Sequence, residues 1–307
     1  MDKGLEFLAN NYFPERLKKI MLSDLASPER TEEIRLKAKE ALCVLKKSGL
    51  YFLGENGEST EYEKAAFFSK EELSEIVTLL CENSVYSNQE HIKKGFIPLR
   101  GGHRAGITGR CVTENGKIKY IADFSAVNIR IAGEVIGASD KVFHKIYKDG
   151  NVRNTLIISP PGCGKTTMLR DIARKLGSPY CMKKVAIADE RGEIAACFEG
   201  IAENDIGSLS FVMDNCPKAE GIVSLIRAMN PDVVITDEIG TRDDADAVMQ
   251  AVLSGVFVIS SVHGKDFSDA REKSGIKKLI SENVFSLIIV LSRKNGPGTV
   301  EEIIDLC

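Results

Sequence analysis

The loop at residues 159–167 constrains the fold of this chain more than any other segment. Its residues are Ser159, Pro160, Pro161, Gly162, Cys163, Gly164, Lys165, Thr166 and Thr167. An apolar run at 155–158 precedes the loop, and residues 168–176 follow it with the apolar spacing of a helix. This order matches the phosphate-binding pattern GxxxxGK followed by Ser or Thr, with a serine at the first glycine position. We therefore predict an α/β domain of the P-loop type.

The residue types of this loop suit the phosphates of a nucleotide. Glycines allow successive backbone N–H groups to point inward at phosphate oxygens, and the following helix directs its positive N-terminal end at the same place. Lys165 can reach the outer phosphates, and the Thr166 hydroxyl can bind Mg²⁺. The alternative is a Gly/Pro turn before an ordinary helix, but the segments on both sides favour a nucleotide site. We expect the whole loop to bind ATP, with Mg²⁺.

A second element of the expected site is the apolar strand at residues 233–237, which ends in Asp237 and is followed by Glu238. In open α/β sheets, ligands bind at the carboxyl ends of the strands. One acid there can bind Mg²⁺ through its waters, and a second acid can orient or deprotonate the attacking water. We expect Asp237 to bind the metal and Glu238 to position the water. The alternative is a strand that simply runs into an acidic turn.

Two further strand ends carry polar residues whose role the residues alone leave open. The strand at 185–188 runs into an acidic turn that contains Glu190. This turn could approach the γ-phosphate, or it could be solvated, since a charge cluster is only a probabilistic sign of a site. The strand at 256–261 leads to His263, which could sense the γ-phosphate or be an ordinary loop residue. We treat Glu190 and His263 as candidate catalytic residues.

Composition and charge disfavour several other classes of protein. The cysteines are scattered, with no CxxC pair and no Cys/His cluster, which is typical of reduced thiols in a cytoplasmic protein. The N-terminus lacks the apolar segment of a signal peptide, and the longest apolar stretches are too short to cross a bilayer. Residues 151–307 carry 18 Lys+Arg against 22 Asp+Glu, whereas nucleic-acid-binding proteins usually have a basic face. The sequence has no Asn-Lys-x-Asp motif, the guanine-reading motif that would indicate a GTP-specific switch.

The chain is long enough for two domains, and we predict a boundary near residue 150, at the linker-like segment 148–151. Residues 151–307 alternate apolar runs and helical segments, which is typical of a RecA/AAA-like P-loop core with a mainly parallel sheet. A smaller α+β domain is expected at residues 1–150. The strands predicted for the core are 154–159, 185–189, 233–237, 256–261 and 287–291, the last forming a hairpin with 299–305.

The segment before residue 95 is harder to interpret. Residues 5–10 and 15–22 have helical spacing, and Ser69 is a plausible N-cap of another helix. Residues 33–38 alternate as a strand does, yet residues 38–47 would suit a helix equally well. Four strand-like stretches follow in the strand-rich region 96–147, at 96–99, 106–112, 118–124 and 128–135.

The order of these motifs resembles that of the secretion (traffic) ATPases of type II and type IV systems. Those proteins carry a Walker A loop, an acidic Asp box, an Arg-x-x-x-Pro-Asp lead into Walker B, and a His box. The corresponding segments here are 159–167, Asp189-Glu190-Arg191, Arg227–Asp232 before Asp237-Glu238, and Ser261-Val262-His263. A closer resemblance is to the stage III sporulation protein AA family, through the 159–167 loop and the segment Gly101–Gly106. That pattern also accommodates Asp237, where many secretion ATPases have glycine.

This resemblance implies a hexameric ring of AAA-type ATPase subunits in which an arginine of the N-terminal domain completes a neighbouring site. The candidates are Arg104, Arg110 and Arg130, of which we select Arg130; plain surface arginines are the alternative. The implied partners are integral membrane proteins of a secretion-like complex, the channel between mother cell and forespore, with this protein peripheral to the membrane. Two other functions stay open: a nucleic-acid-dependent ATPase, and a nucleotide-gated scaffold that does not turn over.

Overall fold

The structure is a computed structural model that describes residues 3–82, 84, 88–114, 116–133 and 135–306. It divides into two compact units, Met1–Gly133 and Glu134–Cys307. The predicted boundary at residue 150 is therefore wrong. The segment 148–151 lies inside the second unit, where Asp149 and Gly150 have positive φ and turn a two-stranded hairpin. An Asp-Gly turn and a linker have the same composition, which explains the error.

The first unit contains four helices and one large antiparallel sheet among its described residues. The helices are α1 (Lys3–Tyr12), α2 (Glu15–Asp24), α3 (Lys70–Leu80) and α4 (Gln89–Lys93). The strands are β1 (Thr31–Lys37), β2 (Glu40–Ala41), β3 (Cys43–Lys46), β4 (Gly49–Leu53), β5 (Ser59–Thr60), β6 (Phe67–Phe68), β7 (Phe96–Leu99), β8 (His103–Glu114) and β9 (Lys117–Arg130). The sheet order is β5-β4-β3-β1-β9-β8-β7, and β2 pairs with β6.

Local sequence accounts for most of this unit. The Ser69 hydroxyl accepts the backbone N–H of Glu72 and the Glu72 carboxylate accepts that of Ser69, so the predicted cap of α3 is confirmed. The predicted helices at 5–10 and 15–22 are present as α1 and α2. Residues 38–47 form strands rather than a helix, because Lys39 has a φ of 63° and reverses the chain there. Alternate residues of β1, such as Ile34 and Leu36, are buried in the core.

The long hairpin of β8 and β9 differs from its prediction. Residues 118–124 and 128–135 were expected as separate strands, but β9 is continuous from Lys117 and ends at Arg130. Glu134, within the second predicted stretch, lies outside the described residues. The pairing register shifts between Thr108 and Arg110, and Asp123 has a φ of 45°. A β-bulge of this kind lets one strand bend without ending, so the sequence pattern is interrupted while the strand continues.

The second unit is a parallel sheet covered by helices on both faces. Its helices are α5 (Asp140–Ile146), α6 (Lys165–Leu176), α7 (Lys218–Met229), α8 (Arg242–Leu253), α9 (Phe267–Arg271) and α10 (Ser274–Ser281). Its strands are β10 (Tyr147–Lys148), β11 (Asn151–Val152), β12 (Thr155–Ser159), β13 (Val185–Asp189), β14 (Ser210–Asp214), β15 (Val233–Glu238), β16 (Phe257–His263), β17 (Leu287–Ser292) and β18 (Thr299–Asp305). The sheet order is β14-β13-β15-β16-β12-β17-β18, with only β18 antiparallel to its neighbour.

All five strands predicted for this sheet are present, and so is the terminal hairpin of β17 and β18. Every residue of β12 and β13 is buried, as expected for strands packed on both faces. The sheet also contains β14, an edge strand that sequence analysis missed because its apolar run, Phe211–Met213, is short and only partly buried. In the described part of the chain, no helix is long and apolar enough to cross a membrane. The carboxyl ends of β12, β15 and β16 lie side by side, where ligands of α/β sheets bind.

Candidate active site

A cavity of about 340 Å³ lies at the carboxyl ends of β12, β15 and β16. It brings together the predicted loop, the end of β15 and the end of β16. Its lining residues from these segments are Pro161, Gly162, Gly164, Lys165, Thr166, Thr167, Asp237, Glu238, Ser261 and His263. Three predicted loop residues, Ser159, Pro160 and Cys163, are not part of the lining. Arg191 and Glu193, from the acidic turn that was expected to approach the γ-phosphate or to be solvated, and Pro297 complete it.

The backbone of the loop has the shape that phosphate binding requires. Gly162 and Gly164 have φ values of 70° and 89°, a region that favours glycine. Helix α6 begins directly after Gly164 and has no side-chain cap, so its first N–H groups remain available to a ligand. The turn between β17 and β18 supports the loop: the Gly298 N–H donates to the Cys163 carbonyl at 2.9 Å. A Cβ on Gly162 would come within 3.4 Å of the Arg293 guanidinium.

Lys165 is buried and folded back on its own loop. Its Nζ donates to the Ser159 carbonyl at 3.0 Å and to the Pro160 carbonyl at 3.2 Å, and lies 2.9 Å from His263 Nδ1. None of these partners carries a negative charge, and burial lowers the pKa of Lys165. Ser159 is fully buried, and its hydroxyl donates to the Pro160 carbonyl at 2.8 Å. A serine is therefore accommodated where the motif has its first glycine.

Glu238 and His263 contact each other across the cavity. His263 Nε2 lies 3.0 Å from Glu238 Oε2, while the other ring nitrogen faces Lys165. Arg191 approaches the same carboxylate oxygen at 3.8 Å. The end of β15 is fixed by β16, because the Ser260 hydroxyl donates to the Asp237 carbonyl at 2.8 Å. The predicted water-positioning acid and the predicted γ-phosphate sensor are thus already in contact.

Lys218, the first residue of α7, is the main site residue that sequence analysis missed. Its side chain is 5% exposed, and its Nζ lies 2.8 Å from Asp237 Oδ1 and 3.7 Å from Glu190 Oε2. It also donates to the backbone carbonyl of Glu238. A cation in the first turn of a helix opposes the helix dipole, and this was the available signal. Glu190 faces Lys218 and does not line the cavity.

The acidic turn after β13 is organised by Asp189, not by Glu190. The fully buried Asp189 carboxylate accepts the backbone N–H groups of Glu193, Ile194 and Ala195 at 2.9–3.0 Å. Burial raises its pKa to about 6 in spite of these hydrogen bonds, and the neighbouring Asp237 adds to the shift. The turn that Asp189 holds places Arg191 and Glu193 at the cavity.

Comparison with known proteins identifies the family. The family model "Sporulation stage III, protein AA" matches residues 7–306. This chain belongs to that family. Over 297 residues it is 38% identical to stage III sporulation protein AA of Bacillus subtilis (strain 168), a match that covers 95% of this chain and 92% of the relative. The resemblance to this family deduced from the loop and from Gly101–Gly106 is therefore confirmed.

Solved structures show that this chain shares its fold with the ATPase DotB and the pilus retraction motor PilT. The ATPase DotB of Yersinia pseudotuberculosis matches with a TM-score of 0.61 and 14% identity, over 97% of this chain and 81% of DotB. The pilus retraction motor PilT, solved with bound ADP, matches with a TM-score of 0.56 and 14% identity, over 88% and 77%. The predicted architecture, an N-terminal unit followed by an α/β core with a mainly parallel sheet, is confirmed.

The residues that face the cavity fit a magnesium ion held together with phosphates. Thr166 and Asp237 both line the cavity and have side-chain oxygens that could bind a metal. Among the residues that the structure describes, no cluster of three or more His, Cys, Asp or Glu side chains could hold a metal by itself. Mg²⁺ usually binds through one or two protein oxygens and completes its shell with water and phosphate. The donor set of this family member therefore suits Mg²⁺ that arrives with a nucleotide.

The three candidate arginines all lie in the first unit, and each has a partner there. The Arg104 guanidinium stacks over the Phe96 ring at 4.6 Å. Arg110 Nε lies 2.8 Å from Asp123, and Arg130 Nε lies 3.4 Å from Glu33. Arg130 is nevertheless 71% exposed. The role of Arg130 in a neighbouring site stays a prediction.

Proposed function

We propose that this protein is an Mg²⁺-dependent ATPase that powers a membrane-associated, secretion-like assembly during sporulation. One observation carries the proposal. The loop at 159–167, the acids Asp237 and Glu238, and His263 converge on one cavity at the carboxyl ends of adjacent parallel strands. This is where an α/β sheet binds its ligands, and each group has the chemistry that phosphoanhydride hydrolysis needs.

The loop and Lys165 bind the phosphates. The N–H groups at the start of α6 and the two left-handed glycines face the triphosphate. Lys165 then exchanges its carbonyl and imidazole partners for phosphate oxygens. None of these partners carries a negative charge, so anionic phosphate is the stronger acceptor. Thr166 and Asp237 would hold Mg²⁺, which would supply positive charge to the transferring group.

Glu238 positions the attacking water and accepts its proton. His263 Nε2 orients the Glu238 carboxylate, and Lys165 leaves His263 Nδ1 when it moves to the phosphates. The departure of Lys165 connects nucleotide binding to the histidine that contacts the base. Glu190 acts indirectly in this arrangement, through Lys218, since it is not part of the cavity lining.

The proposed assembly is a homo-oligomeric ring, hexameric by its resemblance to secretion ATPases, in which Arg130 of a neighbouring copy completes the site. The partners are integral membrane proteins of the channel between mother cell and forespore, and the protein is peripheral to that complex. Support comes from the sporulation family and from the fold shared with DotB and PilT. Mass measurement with and without a non-hydrolysable ATP analogue tests the ring; a monomer in both states contradicts it.

Replacing Lys165 tests the site. Lys165→Ala should lower ATP turnover by about a hundredfold or more, since the outer phosphates lose their cation. Turnover equal to that of the parent protein would refute the assignment. Single-turnover ADP formation by the parent separates an ATPase from a nucleotide-gated scaffold. Stimulation by single-stranded nucleic acid that disappears at high salt would favour a nucleic-acid-dependent enzyme instead.

A further inference from the structure

Lys218 occupies a position that is unfavourable for a lysine. It is the first residue of α7, where the helix dipole is positive, and its ammonium is almost entirely withdrawn from water. The preceding residue, Pro217, provides no side-chain cap. Burying a charge in this way costs several kcal/mol unless partners compensate for it. The partners of Lys218 must therefore compensate for the cost of burying its charge.

Those partners belong to two neighbouring strand ends. Asp237 at the end of β15 lies 2.8 Å from the ammonium, and Glu190, in the turn after β13, lies 3.7 Å away. The same ammonium donates to the backbone carbonyl of Glu238. One side chain thus fixes the carboxylate of one functional acid and the backbone of the next. Asp237 is 6% exposed, so its charge also depends on a close partner.

The acids around Lys218 outnumber its positive charge. The carboxylates of Asp237 and Glu190 both face its ammonium, and the carboxylate of Asp189 is buried beside Asp237. Without a cation, these carboxylates would repel one another and would attract any divalent metal in the solvent. With Lys218 in place, Oδ1 of Asp237 is already paired with the ammonium.

We propose that Lys218 is a positioning residue, an internal counter-ion that holds Asp237 and the Glu238 carbonyl in place and prevents Asp237 from binding free Mg²⁺ before a nucleotide arrives. The metal then enters with the triphosphate, whose oxygens supply the ligands that Asp237, paired with the ammonium, cannot provide alone. This inference rests on the proposed ATPase site for the identity of the ligand, but its central claim concerns the protein without nucleotide.

The test is the melting temperature of the nucleotide-free protein in chelator and at increasing Mg²⁺ concentration. Lys218→Met keeps the length of the side chain and removes its charge. The Mg²⁺ concentration that gives a half-maximal rise in melting temperature should fall by at least about threefold relative to the parent. Turnover with ATP should fall at the same time, because the Glu238 carbonyl loses its donor. An unchanged Mg²⁺ response would overturn the proposal.

Lys184→Met is the matched control. Lys184 also pairs with an aspartate, Asp232 at 3.9 Å, and donates to a backbone carbonyl, that of Asn230, but it does so at the opposite end of β13 and β15. This variant should respond to Mg²⁺ as the parent does. If Lys218→Met does not fold, the double variant Lys218→Met/Asp237→Asn decides. A counter-ion role predicts that the neutral pair restores folding without the enhanced Mg²⁺ response, whereas a double variant that stays unfolded contradicts it.

The outcomes distinguish this inference from the proposed function. The Mg²⁺ response is measured without nucleotide, so the counter-ion inference stands even if Lys165→Ala leaves turnover unchanged. Conversely, loss of turnover in Lys165→Ala together with equal Mg²⁺ responses in the parent and Lys218→Met would retain the ATPase and reject the counter-ion.

Discussion

The two sides of the cavity use buried lysines in different ways. On the loop side, Lys165 contacts two carbonyls and an imidazole, none of which carries a negative charge. On the acid side, Lys218 contacts the carboxylates of Asp237 and Glu190. Exchanging a neutral acceptor for phosphate is favourable, whereas leaving a buried carboxylate unpaired is costly. The comparison indicates that Lys165 moves when nucleotide binds and that Lys218 stays.

Glu238 links these two sides. Its carboxylate contacts His263, which faces Lys165, and its backbone carbonyl accepts from Lys218. The moving side therefore acts on the reactive group of Glu238, while the fixed side holds its backbone. Such an arrangement separates the sensing of a nucleotide from the placement of the base.

The largest effect expected within this comparison comes from Glu238→Gln. Glutamine keeps the size of the side chain but cannot accept a proton, so turnover should fall roughly a hundredfold or more while nucleotide binding is retained. Lys165→Ala, in contrast, should lose binding as well. Turnover and the affinity for a fluorescent ATP analogue separate the two cases. Glu302→Gln, at an exposed position of β18, is the control and should keep parental turnover. A Glu238→Gln protein with parental turnover would contradict the role of Glu238 as the base.

The loop side of this comparison could be predicted from sequence because its information is local. Residues 159–167 adjoin in the chain, and the flanking strand and helix confirm their setting. Asp237 and Glu238 follow the short apolar run Val233–Ile235 and Thr236, and the predicted buried strand is present there. His263 was found in the same way, at the end of β16, and it does line the cavity. Each of these residues is marked by its position at the end of an obvious strand.

The contacts of Lys218 on the acid side could not be predicted, because they join residues far apart in the chain. The rest of α7 and most of β15 separate Lys218 from Asp237, and nothing in the helix pattern connects the two. Asp189 was expected as part of an acidic box. Its hydrogen bonds to the backbone of residues 193–195 depend on how the following turn folds, which the sequence does not show. Glu190, its more exposed neighbour, was the less informative choice. Sequence spacing reports which residues share a strand, but not which buried charges compensate one another.

A smaller effect should appear in the pH dependence of stability, and it concerns the acid side alone. Burial raises the pKa of Asp189 to about 6 in the folded protein, above its value of 3.8 when unperturbed. Above pH 6 the folded state carries this charge at a cost. As the pH falls from 6 towards 3.8, the folded state takes up a proton that the unfolded state does not, so this contribution to stability increases.

Asp189→Asn removes that titration. The free energy of unfolding of the parent, measured by urea denaturation, should gain about 1 kcal/mol relative to Asp189→Asn between pH 7.5 and pH 5. Asp243→Asn, at an exposed position of α8, should follow the parent at both pH values. A constant difference between the parent and Asp189→Asn across this range would mean that Asp189 is stabilised as a charged group.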